Sequence, residues 1–291
     1  MPAIVTKRPL NPTVTFMELD CPDIAKKARP GQFVMVRPDE RGERIPLTIA
    51  DYDPVRGTIT IMYQRVGVTT QKLDALNAGD TVLNVVGPLG NPTEVEGARR
   101  VMVIGGGVGS AIAYPQAKGL HLAGVQVDVI IGFRTKELVF LEDSFRRSCD
   151  ALYITTDDGT YGEQGFVSSK LTELLAEGRR YDLVIAIGPV PMMRSVAQVT
   201  QPYGIRTLVS LNPLMVDGTG MCGCCRVRVG GETRFACVDG PDFDGHQVDY
   251  DELMTRNSLY QEQETAAREA HACNLQKLAD AAQQAQKGGA Q

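Results

Sequence analysis

The chain has 291 residues, 43% of them hydrophobic, and a formal net charge of -5. That length buries an ample core and suits two or three domains better than one, while the acidic balance lacks the basic footprint that nucleic acid requires. No apolar run is long enough to span a bilayer, and the start, "MPAIVTKRPLNPTV", has no signal-peptide core, so a cytoplasmic protein with neither a membrane nor a nucleic-acid partner is expected.

Residues 1–96 read as β-rich. "QFVMVRP" and "GTITIMYQRV" are short β-branched and aromatic runs, bounded by turn signals at Pro30-Gly31, Asp51 to Gly57 and Asn77-Ala78-Gly79-Asp80. One short helix, Thr70 to Leu76, interrupts the strands. Short strands with regular turns predict a small barrel. Gly67-Val68-Thr69-Thr70 opens the helix, where free N–H groups and threonine hydroxyls make an anion site. Arg44 could supply a charged donor to the same phosphates. On composition alone, an ordinary hairpin and a surface arginine are the simpler alternative.

The texture changes near residue 98, after the Gly- and Pro-rich "GPLGNPTEVEGA". Residues 97–210 alternate buried apolar runs, "VQVDVIIGF", "ALYITTDD" and "YDLVIAIGP", with helix-like polar segments, which predicts a parallel α/β sheet. The first unit, "RRVMVIGGGVGSAIAY", is a strand, a glycine turn and a helix. It misses G-x-G-x-x-G by one residue, because Ser110 stands at the last position. The physics holds regardless: at Gly106, Gly107, Val108 and Gly109, backbone N–H groups can approach a pyrophosphate at a helix start. A tight turn without a ligand is the alternative.

An acidic residue ending the next strand would suit a ribose 2′-hydroxyl, but none is there, and Asp128 lies too early. Arg134 could touch adenine, ribose or a 2′-phosphate, which leaves NAD(H) against NADP(H) open. Asp157 and Asp158 follow another strand, as a nucleotide contact or as an ordinary turn. Gly188 and Pro189, with Met192 beside them, repeat the strand-end position and leave room for a nicotinamide ring.

Residues 211–250 form a loop-rich segment. Its core, "VDGTGMCGCCRVRVGGETRFACVDG", holds Cys222, Cys224, Cys225 and Cys237. In a reducing compartment such clustering reads as metal ligation rather than disulfides. Zinc would want two paired knuckles; here there is one pair, Cys222 and Cys225, and a distant Cys237, so the fourth ligand would be Cys224 or His246. Plant-type [2Fe–2S] spacing, C-x4-C-x2-C and a distant cysteine, fits better if Asp217 takes the first position. The small residues between let the backbone wrap a cluster. Alternatively Asp217 caps a turn, and Cys224 or water completes the site. Cys21, Cys149 and Cys273 stand alone and read as small semi-buried side chains. The tail, 251–291, reads as helical: Leu253, Met254, Ala266, Ala267, Ala270, Leu275 and Leu278 fall near helical spacing. Its end, "AAQQAQKGGAQ", is expected to fray.

The order of barrel, "GGGVGSA" domain and cysteine loop resembles the ferredoxin–NADP+ reductase superfamily. More narrowly, "RIPLTIADYD", "GPLGNPT", "IGFRTKELVF", "TDDGTYGEQGFV", "IGPVPMM" and the cysteine segment resemble the small (alpha) subunit family of NADH-dependent ferredoxin:NADP+ oxidoreductase. That family is sulfide dehydrogenase subunit-like and related to the dihydroorotate dehydrogenase B electron-transfer subunit. The resemblance implies a β-barrel flavin domain plus an α/β parallel-sheet nucleotide domain, with a small iron–sulfur loop domain and a helical tail. It implies FAD, NAD(H) and one [2Fe–2S] cluster on Asp217, Cys222, Cys225 and Cys237. The flavin motif maps onto Ile45, Pro46, Leu47 and Thr48, with Ile45 where arginine is usual and Arg44 displaced by one. Met62, Tyr63 and Gln64 fall where the flavin ring is lined, and Gly67, Thr69 and Thr70 where its pyrophosphate binds. Ile187 and Asp217 stand where the dihydroorotate group has cysteine, which favours the ferredoxin:NADP+ side.

The implied work is electron transfer between NAD(H), FAD and the cluster, on to a larger flavin and iron–sulfur subunit that reaches ferredoxin and couples the reactions by bifurcation. The cofactors carry the chemistry, and no catalytic acid or base is expected. The helical tail packs on that partner or on the chain's own surface. The alternatives are an electron-transfer subunit of dihydroorotate dehydrogenase B or of sulfide dehydrogenase, a non-catalytic redox sensor or scaffold, and a zinc-stabilised NAD-binding protein.

Overall fold

The computed structural model describes residues 1–270. Its first sheet holds β1 (Ile4–Pro9), β2 (Val14–Asp20), β3 (Phe33–Arg37), β4 (Ile45–Asp53), β5 (Thr58–Gln64) and β6 (Asn84–Leu89) in the antiparallel order β1-β2-β5-β4-β3-β6. Helix α1 (Pro22–Ala25) follows β2, and α2 (Val68–Ala75) follows β5. The helix expected from Thr70 thus starts two residues earlier. Side chains alternate across a strand with period two, so Ile49, Ile59, Ile61 and Tyr63 share one buried face with Leu73 of α2. A bridge between Ala3 and Thr81, next to the bond from Ile4 N to Asp80 O (2.8 Å), brings the two edges together. That contact covers backbone groups that a flat sheet would leave open.

The chain has no regular structure from 90 to 99. It then forms β7 (Arg100–Gly106), α3 (Gly109–Leu122), β8 (Gln126–Phe133), α4 (Glu142–Arg146), β9 (Ala151–Thr156), β10 (Glu163–Gln164), α5 (Val167–Ala176), β11 (Leu183–Ile187), α6 (Val190–Thr200) and β12 (Arg206–Ser210). These strands are parallel in the order β10-β9-β8-β7-β11-β12. Helices cover both faces, which is why Val101 to Ile104 and Leu183 to Ile187 are all buried. Near the N-terminal end of β8, Asp128 is 1% exposed. One of its oxygens meets Arg100 (3.2 Å), Arg179 (3.3 Å) and the Tyr181 hydroxyl (2.8 Å). This is a satisfied buried charge, remote from the strand ends where ligands gather.

The rest forms a hairpin, β13 (Arg226–Val229) and β14 (Glu232–Phe235), then β15 (Asp242–Asp244), which joins β12 antiparallel, and α7 (Tyr250–Ser258). Asp249 caps α7 by accepting from Glu252 N at 2.9 Å. Residues 261–270 are helical after a turn at 259–260; Cys273, Leu275, Leu278 and the expected frayed end lie outside the described residues. No helix among the described residues is long and apolar enough to cross a membrane.

The first sheet and the second pack through α3. Ala50 and Met62 join Ala111, Ala113 and Ala117 in one apolar cluster, and Lys118 Nζ bonds Asp51 at 2.7 and 2.8 Å. Both partners of that ion pair are about a third exposed, so it contributes about 1 kcal/mol at most. The apolar seam, which removes whole side chains from water, holds the two sheets together more strongly.

Candidate functional site

Strand β7 runs out at Gly105 and Gly106, and α3 begins three residues later. A Cβ at Gly109 would collide with the Ile187 carbonyl, and one at Gly105 would lie 2.8 Å from Ser110 Cα. The turn is therefore pressed against the end of β11, and only glycine fits. Gly107 has φ +55 and open space beyond it, a left-handed conformation that side chains disfavour. Its N–H donates to Gly132 O at 2.8 Å, and the amides of Val108 and Gly109 have no backbone acceptor among the described residues. Met192, in the first turn of α6, lies over Gly106, and its Cε would be 2.9 Å from a Cβ at Gly188. The structure thus brings Gly106, Gly107, Val108, Gly109, Gly188, Pro189 and Met192 together.

Arg134, after β8, is exposed, and so are Asp157 and Asp158 after β9. Asp157 N donates to Phe133 O at 3.0 Å and Asp158 N to Arg134 O at 3.3 Å, so the two strand ends share one rim. Asp158 accepts from the Thr160 hydroxyl (2.7 Å) and amide (3.0 Å), which hold its carboxyl below the usual range. Its carboxylate is occupied as a turn cap; that of Asp157 has no hydrogen-bond partner among the described residues.

At the start of α2, Thr70 Oγ1 accepts from Gly67 N (3.0 Å) and donates to Gly67 O (2.9 Å). The first helical bond to Gly67 O comes from Gln71 N, so the amides of Val68, Thr69 and Thr70 have no backbone acceptor among the described residues. Arg44 is exposed. The pleat divides the other candidates. Tyr63 is 1% exposed and turned into the core of the first sheet, whereas Met62, at 7%, lies in the seam with α3. Met62, Tyr63 and Gln64 therefore form no single wall. Leu47 likewise packs on that core, on the opposite face of β4 from Pro46 and Thr48.

The cysteine loop lies on the first sheet. A Cβ on Gly218 (φ +78) would be 2.7 Å from Met35 Cγ of β3 and 3.0 Å from Leu89 Cδ1 of β6. Asn91 N donates to Gly240 O at 2.7 Å and Leu211 N to Pro241 O at 2.9 Å, which stitches both ends of the segment down. Asp217 accepts from Thr219 N (2.8 Å) through one oxygen and from Cys222 N (3.0 Å) through the other, and these amides hold its carboxyl below the usual range. Cys225 and Cys237 are buried with their Sγ atoms 3.2 Å apart, as free thiols. Burial, and then the neighbouring Cys225, push the Cys237 thiol up to about 12. Cys222 is exposed, and Cys224 is half-buried beside it.

Among the described residues no three His, Cys, Asp or Glu side chains converge on one metal-ion position. The donors instead form two pairs, Asp217 with Cys222 and Cys225 with Cys237. His246 is held by Thr200 (3.0 Å) and Asp244 (3.7 Å), so the sequence's alternative of a histidine fourth ligand is not built. Burial pushes the thiols of Cys21 and Cys149 up to about 12 and about 11, which suits small inert side chains. Two features escaped sequence reasoning. Gly132 supplies the carbonyl that anchors Gly107, and Ser110 and Thr155 carry buried hydroxyls without a partner among the described residues. Small residues at strand ends were the available signal.

A family model, the iron–sulfur cluster binding domain of dihydroorotate dehydrogenase B, matches residues 212–249. A Thermotoga maritima homologue of the dihydroorotate dehydrogenase B (NAD(+)) electron transfer subunit is 48% identical over 248 residues, 85% of this chain and 87% of that one. A chain from the structure of NADH-dependent reduced ferredoxin-NADP oxidoreductase, described for flavin-based electron bifurcation, is 45% identical with a TM-score of 0.88. The match covers 93% of this chain and 97% of that chain. The cytochrome b5 reductase domain of Ulva prolifera nitrate reductase shares the fold alone: 17% identity, TM-score 0.57, over 70% of this chain and 92% of that one.

Proposed function

The chain belongs to the family of dihydroorotate dehydrogenase B electron-transfer subunits and their homologues, and from that premise we propose an oxidoreductase subunit that moves electrons between NAD(H), FAD and a [2Fe–2S] cluster. Its outlet is a larger partner subunit, in an assembly of the NADH-dependent ferredoxin:NADP+ type. The observation that carries this reading is the seating of the cysteine loop: Gly218 packs directly on Met35 and Leu89 of the first sheet, so the thiols lie against the domain proposed to hold the flavin.

The residues fit each group. The outward amides of Val68, Thr69 and Thr70 at the start of α2 would hold the FAD pyrophosphate, with Pro46 and Thr48 on the sheet face outside the core. The amides of Val108 and Gly109 would hold the dinucleotide pyrophosphate, and its nicotinamide end would reach Gly106 and Gly188 once the Met192 side chain that covers both glycines swings aside. Asp157 would accept from a ribose hydroxyl, and its charge disfavours a 2′-phosphate, which points to NAD(H). Asp217 and Cys222 would ligate one iron, and Cys225 and Cys237 the other. When bound, the flavin exchanges electrons in pairs with nicotinamide and singly with the cluster. The protein positions these groups and excludes water, and no side chain moves a proton.

The test is anaerobic addition of NADH to the chain without its partner. Bleaching of the flavin absorbance is expected; a bound flavin that NADH leaves yellow would instead make the chain a redox sensor or scaffold. The ligand assignment has its own test. Asp217→Ala is expected to lose or destabilise the cluster and Asp217→Cys to keep it with altered spectra. An unchanged cluster in the alanine variant moves the ligand to Cys224 or solvent.

A further inference from the structure

We infer that Arg256, thirty-one residues beyond Cys225 in the chain, is a positioning residue that raises the reduction potential of the cluster held by the cysteine loop. The inference rests on the iron–sulfur reading of that loop. Arg256 lies in the last turn of α7, half-buried. Its Nη2 donates to the carbonyl of Cys224 at 3.1 Å, between the proposed ligands Cys222 and Cys225. Its Nε is buried and has no hydrogen-bond partner among the described residues.

The helix, not the loop, fixes this side chain. Asp249 caps α7, and its amide donates to Arg228 O of the cysteine hairpin at 2.9 Å. Leu253 is buried in the same core as Cys225 and Cys237. Of the two acids in the first turn of α7, Asp251 is taken by Arg194 at 2.8 Å and Glu252 makes no ion pair with Arg256 among the described residues. The guanidinium therefore reaches the loop as a partly desolvated cation with no carboxylate partner among the described residues, an arrangement that costs free energy unless an anion is nearby. Two irons held by three thiolates, a carboxylate and inorganic sulfide carry net negative charge, and one more electron adds to it. A fixed cation hydrogen-bonded to the ligand loop stabilises the reduced form more than the oxidised form, since local charge and hydrogen bonding set cluster potentials. Arg226, which donates to Gly223 O at 3.2 Å from the exposed side, provides a comparison: solvent screens its charge.

The experiment is a spectroscopic redox titration of the full chain, read at the cluster by electron paramagnetic resonance and at the flavin by absorbance. R256Q is expected to shift the cluster's one-electron equilibrium about tenfold toward the oxidised form, a fall of about 59 mV, with the flavin potential unmoved. R256K keeps the charge but loses the planar fork; about threefold in the same direction is expected. It also carries the test should R256Q fail to retain iron. R226Q is expected to change the equilibrium less than twofold. A purely structural Arg256 would lower thermal stability and leave the potential alone. Potentials equal to wild type, or higher, in whichever of R256Q and R256K retain iron overturn the inference. A wild-type chain without iron or acid-labile sulfide overturns the reading beneath it instead.

Discussion

The glycine turn after β7 and the cysteine loop after β12 leave the same end of the same parallel sheet, yet they solve opposite problems. In the turn, side chains are excluded: a Cβ at Gly109 would strike the Ile187 carbonyl, and one at Gly106 would strike Met192. What remains is backbone, with the amides of Val108 and Gly109 lacking a backbone acceptor among the described residues, and backbone amides suit an anion. In the loop the amides of Thr219 and Cys222 are already taken by Asp217. The donors left over are thiols, two of them buried in contact, and thiols suit iron. One end of a parallel sheet can thus offer amides or thiols according to which groups the local sequence leaves unsatisfied.

The largest effect that separates the two is expected from Cys237→Ala. Iron and acid-labile sulfide should vanish while NADH still bleaches the flavin; loss of bleaching as well would show that the loops are one unit. Next comes Gly109→Val. Bleaching by NADH should slow by about 100-fold and stability fall by about 1–3 kcal/mol from overpacking, with iron content unchanged. Loss of iron from this variant would again break the separation.

A third difference lies in pH. The Cys237 thiol is pushed up to about 12, so it is protonated in the empty loop at neutral pH and must release its proton to bind iron. Cluster reconstitution should strengthen by about tenfold per pH unit for that proton between pH 6 and 8, whereas NADH binding at the glycine turn should stay flat; titrating both over that range checks it. The smallest effect is expected where neither loop is touched. Lys118→Met removes the bond to Asp51 and should cost about 1 kcal/mol or less, a melting shift of about 2–4 °C at most, with both activities intact.

Much of this was legible in the sequence because its signals are local. A strand, a glycine turn and a helix lie within 100–122, and the thiols and Asp217 within 217–237. Asp128 stands too early in its strand to meet a ligand, and the fold bears that out: Arg100, Arg179 and Tyr181 enclose it at the opposite end of β8. What sequence could not supply was facing and long-range contact. Met62 and Tyr63 are adjacent in the chain, but the pleat sends one to the seam and the other into the core. Strand β15 is three residues long, too short for periodicity to register, although it extends the parallel sheet. Arg256 carries no motif; only the docking of α7 on the cysteine hairpin brings it to Cys224.

The proposed centre is a two-iron cluster that Asp217, Cys222, Cys225 and Cys237 would grip against the domain proposed to hold the flavin. Its most direct test is anaerobic purification of the full chain, assay of iron and acid-labile sulfide, and electron paramagnetic resonance after reduction with NADH. Iron and sulfide in equal amounts, and a paramagnetic signal that NADH alone brings up, are expected. A yellow protein with no labile sulfide and no signal on reduction would contradict it.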